Sequence, residues 1–371
     1  MLAIDLFSGA GGSTLGLIAA GFRPVAAVDI DMWATTTYER NLAFTRVRVF
    51  REDLAKLTGE ELLSAVGLLP GELDLLVGCP PCQGFTDHGK PDDPRNSLVL
   101  VFAERVREIM PTAVIFENVR GILEKGRPVF DRLVEMLRRA GYRLVWNLLE
   151  AADYGVPQKR KRVILTALRR ALPEPVLPAP THARPGLARR MGLLTWRTVR
   201  DAIADLPPLA PGETHPDIPN HEAPTHSERV LKIIRMIPKD GGTIRDLPRE
   251  FWLRCHLNHD GHKDVYGRMR WDAPAPTITT GVYTPSKGRF IHPEQDRGIT
   301  MREAARLQGF PDWFVFEGSR RAQARQIGNA MPPPLIEAVA RCLADVLVRV
   351  GAYCEEPGPR PGVIYAVPTV R

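Results

Sequence analysis

The sequence predicts an α/β fold: a doubly wound, mostly parallel sheet joined to a smaller, irregular domain. Three observations carry that expectation. Short apolar runs alternate with helical patterns through residues 1–171, the rhythm of a parallel sheet covered on both faces. A glycine-rich turn leads the first apolar run straight into the first helical pattern, as nucleotide-type ligands require. From about Leu172 the rhythm stops, and Pro173, Pro175, Pro178, Pro180, Pro207, Pro208, Pro211, Pro216 and Pro219 crowd the chain.

Leu2–Phe7 reads as a buried strand, Ser8–Ser13 as the glycine turn, and Thr14–Ala20 as a helix closed by Gly21. Val25–Asp29 is the second strand, and a helix follows near Trp33–Leu42. Strands are expected at Val47–Phe50, Leu73–Val77, Ala113–Phe116, Leu144–Leu148 and Val163–Ala167, with helices near Leu98–Met110 and Val129–Ala140. Regularity returns with a short helix at Thr300–Leu307. Pro332–Val350 is a strongly amphipathic helix, because Leu335, Ile336, Val339, Leu343, Val346, Leu347 and Val350 share one face. The stretch after Cys354, rich in proline and glycine, reads as an extended tail.

A chain of 371 residues with 44% hydrophobic and 25% charged residues fits an ordinary globular protein. No apolar run approaches the ~20 residues that span a bilayer. Asp5 interrupts the segment where a secretory signal needs an apolar core, and five cysteines are an odd, scattered set, so a reducing cytoplasm is the expected location. The net charge of +7 fits a polyanionic partner. Lys159-Arg160-Lys161-Arg162, Arg169-Arg170 and Arg189-Arg190 concentrate that charge centrally, where it suits phosphate contacts as well as a merely solvated face.

The turn itself, Asp5-Leu6-Phe7-Ser8-Gly9-Ala10-Gly11-Gly12, lacks the third glycine of a dinucleotide fingerprint, since Thr14 stands there. Asp29, about twenty residues on, is placed to accept hydrogen bonds from ribose hydroxyls. S-adenosylmethionine and NAD both fit these residues. Gly78-Cys79-Pro80-Pro81-Cys82-Gln83-Gly84-Phe85 follows an apolar strand, at the sheet edge where such folds bind ligands. A redox pair at Cys79 and Cys82 lacks the helix that should follow it, and half a zinc site lacks its second pair. A nucleophile on a stiff loop fits better than either, and better than a core cysteine.

Here the sequence resembles the DNA (cytosine-5)-methyltransferase family. The Pro-Cys-Gln segment matches the family's catalytic motif and puts the nucleophile on Cys82; Cys79 matches no catalytic position. Further blocks follow in the family's order: Glu117-Asn118-Val119, Gln158-Lys159-Arg160-Lys161-Arg162, Arg297 through Pro311, and Gln326-Ile327-Gly328-Asn329-Ala330-Met331-Pro332.

The resemblance implies a class I, Rossmann-like fold and methyl transfer from S-adenosyl-L-methionine to carbon 5 of a cytosine flipped out of duplex DNA. It assigns the catalytic set Cys82, Glu117, Arg160 and Arg162, with Arg162 the best match for the ring oxygen O2 and Arg160 directed to phosphate. It assigns the cofactor to Phe7, Ser8, Gly9, Gly11, Gly12, Asp29, Ile30, Asp53, Pro80, Asn329 and Met331. Residues 1–171 with 296–354 should form the catalytic and cofactor-binding domain, 172–295 the target-recognition domain, and 355–371 a tail. Arg245, Arg249, Arg268 and Arg270 are candidates for base edges or phosphates. Cys255, His256, His259 and His262 have spacing that zinc could use, although the resemblance implies no metal. Double-stranded DNA is the expected partner, met by a monomer, with a restriction endonuclease for the same site as a further candidate.

Three rivals are weaker. A tRNA cytosine methyltransferase shares the motifs, but its recognition block is not seen here. A silent DNA-binding relative would not keep Cys82, Glu117, Arg160 and Arg162 together. An NAD-dependent oxidoreductase leaves the proline–cysteine loop unexplained.

Overall fold

A computed structural model describes residues 1–81, 83–85, 93–252 and 264–350. Two compact units divide these residues: Met1–Tyr154, Lys161–Pro180 and 331–350 belong to the first, Gly155–Arg160 and Thr181–Ala330 to the second; the expected tail, 355–371, lies outside the described residues.

The first unit is built on seven strands: β1 (Leu2–Leu6), β2 (Arg23–Val28), β3 (Arg48–Phe50), β4 (Leu75–Gly78), β5 (Ala113–Asn118), β6 (Tyr142–Glu150) and β7 (Lys161–Arg169). Their spatial order is β3-β2-β1-β4-β5-β7-β6. Every pairing from β3 to β5 is parallel, whereas β7 runs antiparallel to both β5 and β6. Continuous apolar runs such as Leu75–Val77 and Ala113–Phe116 are what a strand covered on both faces demands, and these side chains are fully buried.

Helices α1 (Gly12–Ala19), α2 (Met32–Leu42), α3 (Gly59–Val66), α4 (Leu98–Ile109) and α5 (Arg127–Arg139) connect the strands, and a last helix spans Pro333–Arg349. The expected strands and helices are all present within a few residues. Helix α3 is additional; Thr58 and Glu61 close a capping box at its start, and Gly67 ends it at φ 71°. Phe102, Phe116 and Phe130 stack in tilted contacts from α4 through β5 to α5 at the centre of the core.

The second unit is less bare of regular structure than its prolines suggest. A two-residue parallel pair, β8 (His182–Ala183) with β9 (Leu194–Thr195), joins helices α6 (Pro185–Met191), α7 (Val199–Ile203), α8 (Glu228–Met236), α9 (Met301–Gln308) and α10 (Arg320–Asn329); Pro333–Arg349 is then α11. Residues 296–330, which the sequence groups with the cofactor-binding domain, fall in this unit. Arg297 explains part of that grouping, since its Nε donates to the Leu209 carbonyl at 3.2 Å. Arg302 ties the segment in again, its Nε donating to the Pro219 carbonyl at 3.0 Å.

Buried arginines replace the missing ladders here. Arg268 is fully buried and donates to the carbonyls of Ile234, Ile237, His292 and Gln295 as well as to Asp296. Five fixed donors on one planar group can satisfy carbonyls that no strand reaches. Arg268 is therefore not available to a base edge or a phosphate, which corrects its place among the DNA-reading candidates. Arg297 and Glu303 form a second buried pair with contacts of 2.8 and 2.7 Å. That cation holds the Glu303 carboxyl down at about 2 despite its burial.

Candidate active site

In the first unit, β1, β2, β4 and β5 end along one edge of the sheet, and the motif residues collect there. Just past β1, Phe7 has φ 58°, a left-handed conformation that bulky residues rarely adopt outside functional turns. Gly11 follows at φ 100°, and a Cβ there would come within 2.7 Å of Leu42 Cδ1. Above Gly9, by contrast, the space is open.

Asp29 stands just past β2 and is tied to this turn. Its Oδ2 accepts from the Gly9 amide at 2.8 Å and its Oδ1 from the Asp31 amide at 2.8 Å. Ser8 donates its amide to the Val28 carbonyl at 3.0 Å, so turn and strand end are joined twice. Ile30 beside them is 69% exposed, a large apolar surface with nothing over it among the described residues. Asp53, half-buried, caps the short turn 54–56 through the Ala55 amide at 3.0 Å.

Asp5, to which the sequence assigned no part in the site, lies just before the turn. Asp5 is fully buried within β1; its Oδ2 accepts from Ser13 Oγ and, at 2.7 Å, from Thr14 Oγ1, which is itself 3.0 Å from the Tyr38 hydroxyl. Its Oδ1 has no hydrogen-bond partner. Burial, with repulsion from Asp29 behind it, pushes this carboxyl up to about 6. A lone acid inside an otherwise apolar strand was the available signal.

Glu117 on β5 and Arg162 on β7 form the second cluster. The antiparallel register pairs Asn118 with Val163, which brings the two side chains together diagonally across the ladder. Arg162 Nε lies 2.7 Å from Glu117 Oε1, with side chains only 12% and 11% exposed. Asn118 Nδ2 donates to the Pro80 carbonyl at 3.2 Å, fastening the start of the proline loop to β5. Cys79 Sγ lies 3.7 Å from Met331 Sδ. Burial, then the nearby Glu117 and Asp5 carboxylates, push the Cys79 thiol well up, so it stays a thiol and makes a poor nucleophile.

Cys82, and the Cys255–His262 set, lie outside the described residues. No group of metal-ligating side chains occurs among the described ones, and no described helix is long and apolar enough to cross a membrane.

Arg160 is placed differently from expectation. It belongs to the second unit, is 2% exposed, and donates to the carbonyls of Ile278, Gly328 and Ala330. A guanidinium so enclosed is closed to phosphate, and the directed phosphate contact is corrected accordingly. Asn329, the last residue of α10, is exposed.

Comparison with known proteins agrees with this geometry. The family model for C-5 cytosine-specific DNA methylases matches residues 1–344. Type II methylase M.HgiDII of Herpetosiphon aurantiacus is 36% identical over 355 residues, covering 93% of this chain and 95% of that protein. Type II methyltransferase M1.HphI of Haemophilus parahaemolyticus is 37% identical, with 92% and 86% covered. A crystal structure of a putative DNA modification methyltransferase encoded within an E. coli prophage superposes with a TM-score of 0.74 at 27% identity, covering 94% of this chain and 99% of that one. The strand order and these likenesses establish a class I methyltransferase fold. The chain belongs to the C-5 cytosine-specific DNA methylase family and is a DNA (cytosine-5)-methyltransferase.

Proposed function

We propose that the chain takes its methyl group from S-adenosylmethionine and places it on a flipped-out cytosine through a covalent bond from Cys82. The observation that carries this reading is the Glu117–Arg162 pair at 2.7 Å, on the same sheet edge as the Gly9–Asp29 turn.

The residues present fit that cofactor. Gly9 leaves the space above the turn open, the Asp29 carboxylate is already oriented by two amides, and Ile30 offers an apolar face suited to an adenine. Phe7, Ser8, Gly11, Gly12, Asp53 and Pro80 line the same strand ends, and Asn329 and Met331 are assigned to the cofactor through the last motif. When bound, its sulfonium supplies an electrophilic methyl group.

Carbon 5 of cytosine is a weak nucleophile, and the protein's part is to change that. The Cys82 thiolate adds to carbon 6, so that the ring's electron pair becomes available at carbon 5. Acting as a carboxylic acid, Glu117 hydrogen-bonds to or protonates N3 as negative charge builds there, and the Arg162 guanidinium meets that charge at O2. Once carbon 5 carries the methyl and its proton passes to solvent, the freed electron pair re-forms the carbon 5–carbon 6 double bond as the sulfur–carbon 6 bond breaks, and Cys82 leaves as the thiolate. The base must first leave the stack, at a cost of a few kcal/mol that DNA contacts offset. Residues 172–295 are assigned that recognition, with Arg245, Arg249 and Arg270 as the remaining candidates. A restriction endonuclease for the same site is the expected companion, and a monomer the acting form.

The test uses duplex DNA carrying 5-fluorocytosine in the recognition site. Fluorine blocks the final elimination, so a denaturant-stable adduct should accumulate and map to Cys82. Cys82→Ser should form none yet still bind DNA, and Cys79→Ser should stay active. An adduct on Cys79, or full methyl transfer by Cys82→Ser, refutes the mechanism. Exchanging 175–285 with a relative should move sequence preference and spare cofactor affinity; the reverse result refutes the recognition assignment.

A further inference from the structure

Gln158 and Arg160 lie in a six-residue strip, Gly155–Arg160, that enters the second unit between two segments of the first. Nothing in the chemistry above uses either side chain, yet both are buried and bonded to segments far along the chain. Gln158 donates to the Leu307 carbonyl at 3.1 Å and to the Gln308 side chain, and accepts from the Ile278 amide at 2.8 Å. Arg160 donates to Ile278 at 2.9 Å through Nη1, and to Gly328 at 3.0 Å and Ala330 at 3.1 Å through Nη2. Gln308 closes the ring by donating to the Ala330 carbonyl at 2.6 Å.

We infer that Arg160 is a positioning residue: it pins the backbone on both sides of Asn329 and so sets where that side chain projects. Asn329 is the exposed residue between two carbonyls that one guanidinium holds. Gly328 adds to the constraint, because a Cβ there would overlap the backbone of Thr279 and Thr280. The segment 328–330 is therefore gripped by Arg160 from one direction and by residues 278–280 from another. A lysine cannot reproduce this, since a point charge on a single nitrogen cannot span three carbonyls as a planar fork does. The functional part of this inference rests on the assignment of Asn329 to the cofactor made above.

The experiment compares Arg160→Lys, Arg160→Ala and Asn329→Ala with the parent protein. Three quantities are read: calorimetric affinity for S-adenosylhomocysteine, the salt dependence of duplex binding, and hydrogen exchange in peptides spanning 326–331. A clamp predicts that Arg160→Lys weakens S-adenosylhomocysteine about tenfold or more and speeds exchange in that segment, with the salt slope unchanged. A phosphate contact predicts the opposite pattern: Arg160→Ala lowers the slope by about one, with exchange and cofactor affinity as in the parent, and that result overturns the inference. Arg160→Lys keeps the test open should the alanine variant fail to fold. Asn329→Ala with parental cofactor affinity overturns the Asn329 assignment, and the exchange and salt data then judge the clamp separately.

Discussion

Arg162 and Glu117 are bonded to each other, Nε to Oε1, across the β5–β7 ladder in a place almost closed to water. Two groups assigned to neighbouring edges of one ring are thus held in a fixed relation before any base arrives. Arg162→Ala should lower kcat about 10²–10³-fold while changing duplex affinity far less. Single-turnover methyl transfer decides, and a parental rate in that variant removes the arginine from the chemistry.

Asp29 presents a carboxylate oriented by the Gly9 and Asp31 amides. Asp29→Ala should weaken S-adenosylmethionine by about 1–3 kcal/mol in calorimetry. Unchanged affinity would detach the glycine turn from cofactor binding, and NAD binding in the parent would point to a different cofactor.

Asp5 makes a pH-dependent contribution of predictable sign. Its carboxyl sits at about 6 in the fold against an ordinary 3.8, so the folded protein holds that proton more tightly than the unfolded chain. The stabilisation is fully present below about pH 4 and is lost as pH rises through about 6, a range worth about 3 kcal/mol. Thermal melts of parent and Asp5→Asn at pH 5 and pH 7.5 isolate it. The parent should gain on its variant at the lower pH; parallel curves would show that Asp5 does not titrate there.

Arg268 separates structure from recognition. Arg268→Met strands four carbonyls and Asp296, and should cost about 3–5 kcal/mol of stability in denaturant unfolding. A variant of parental stability that has lost duplex binding would return Arg268 to the DNA surface.

Gly16 tests the closure of the first unit. A Cβ there would overlap Ile336 and sit 2.6 Å from the Pro333 carbonyl oxygen. Gly16→Ala should therefore destabilise by about 1–3 kcal/mol, read as a lowered melting temperature. A rise instead would mean that α11 can shift to make room.

The sheet was legible because a strand covered on both faces needs an unbroken apolar run, and such runs survive in the sequence at Leu75–Val77 and Ala113–Phe116. The glycine turn was legible for a similar reason, since it immediately follows a strand; Glu117 was legible only through the Glu-Asn-Val block that resembles the family's. Helix α3 had a readable start in Thr58 and Glu61, but eight residues show too little periodicity to stand out. Arg160 and Arg268 were not legible. A charged residue looks like surface until its partners are known, and the carbonyls that hold Arg160 lie 118, 168 and 170 residues away. Nothing local announces them.

The contact of α1 with α11 also has a meaning in time. Ribosomes deliver a chain from its N-terminus, at about 5–20 residues per second. Pro333 and Ile336, which cover Gly16, emerge roughly 320 residues after it, some 15–65 s later at that pace. Throughout that interval the face of the first helix at Gly16 lacks the helix that covers it in the folded chain. The first helix can therefore complete its packing only after translation has passed Arg349, so closure of the first unit is a late event in synthesis.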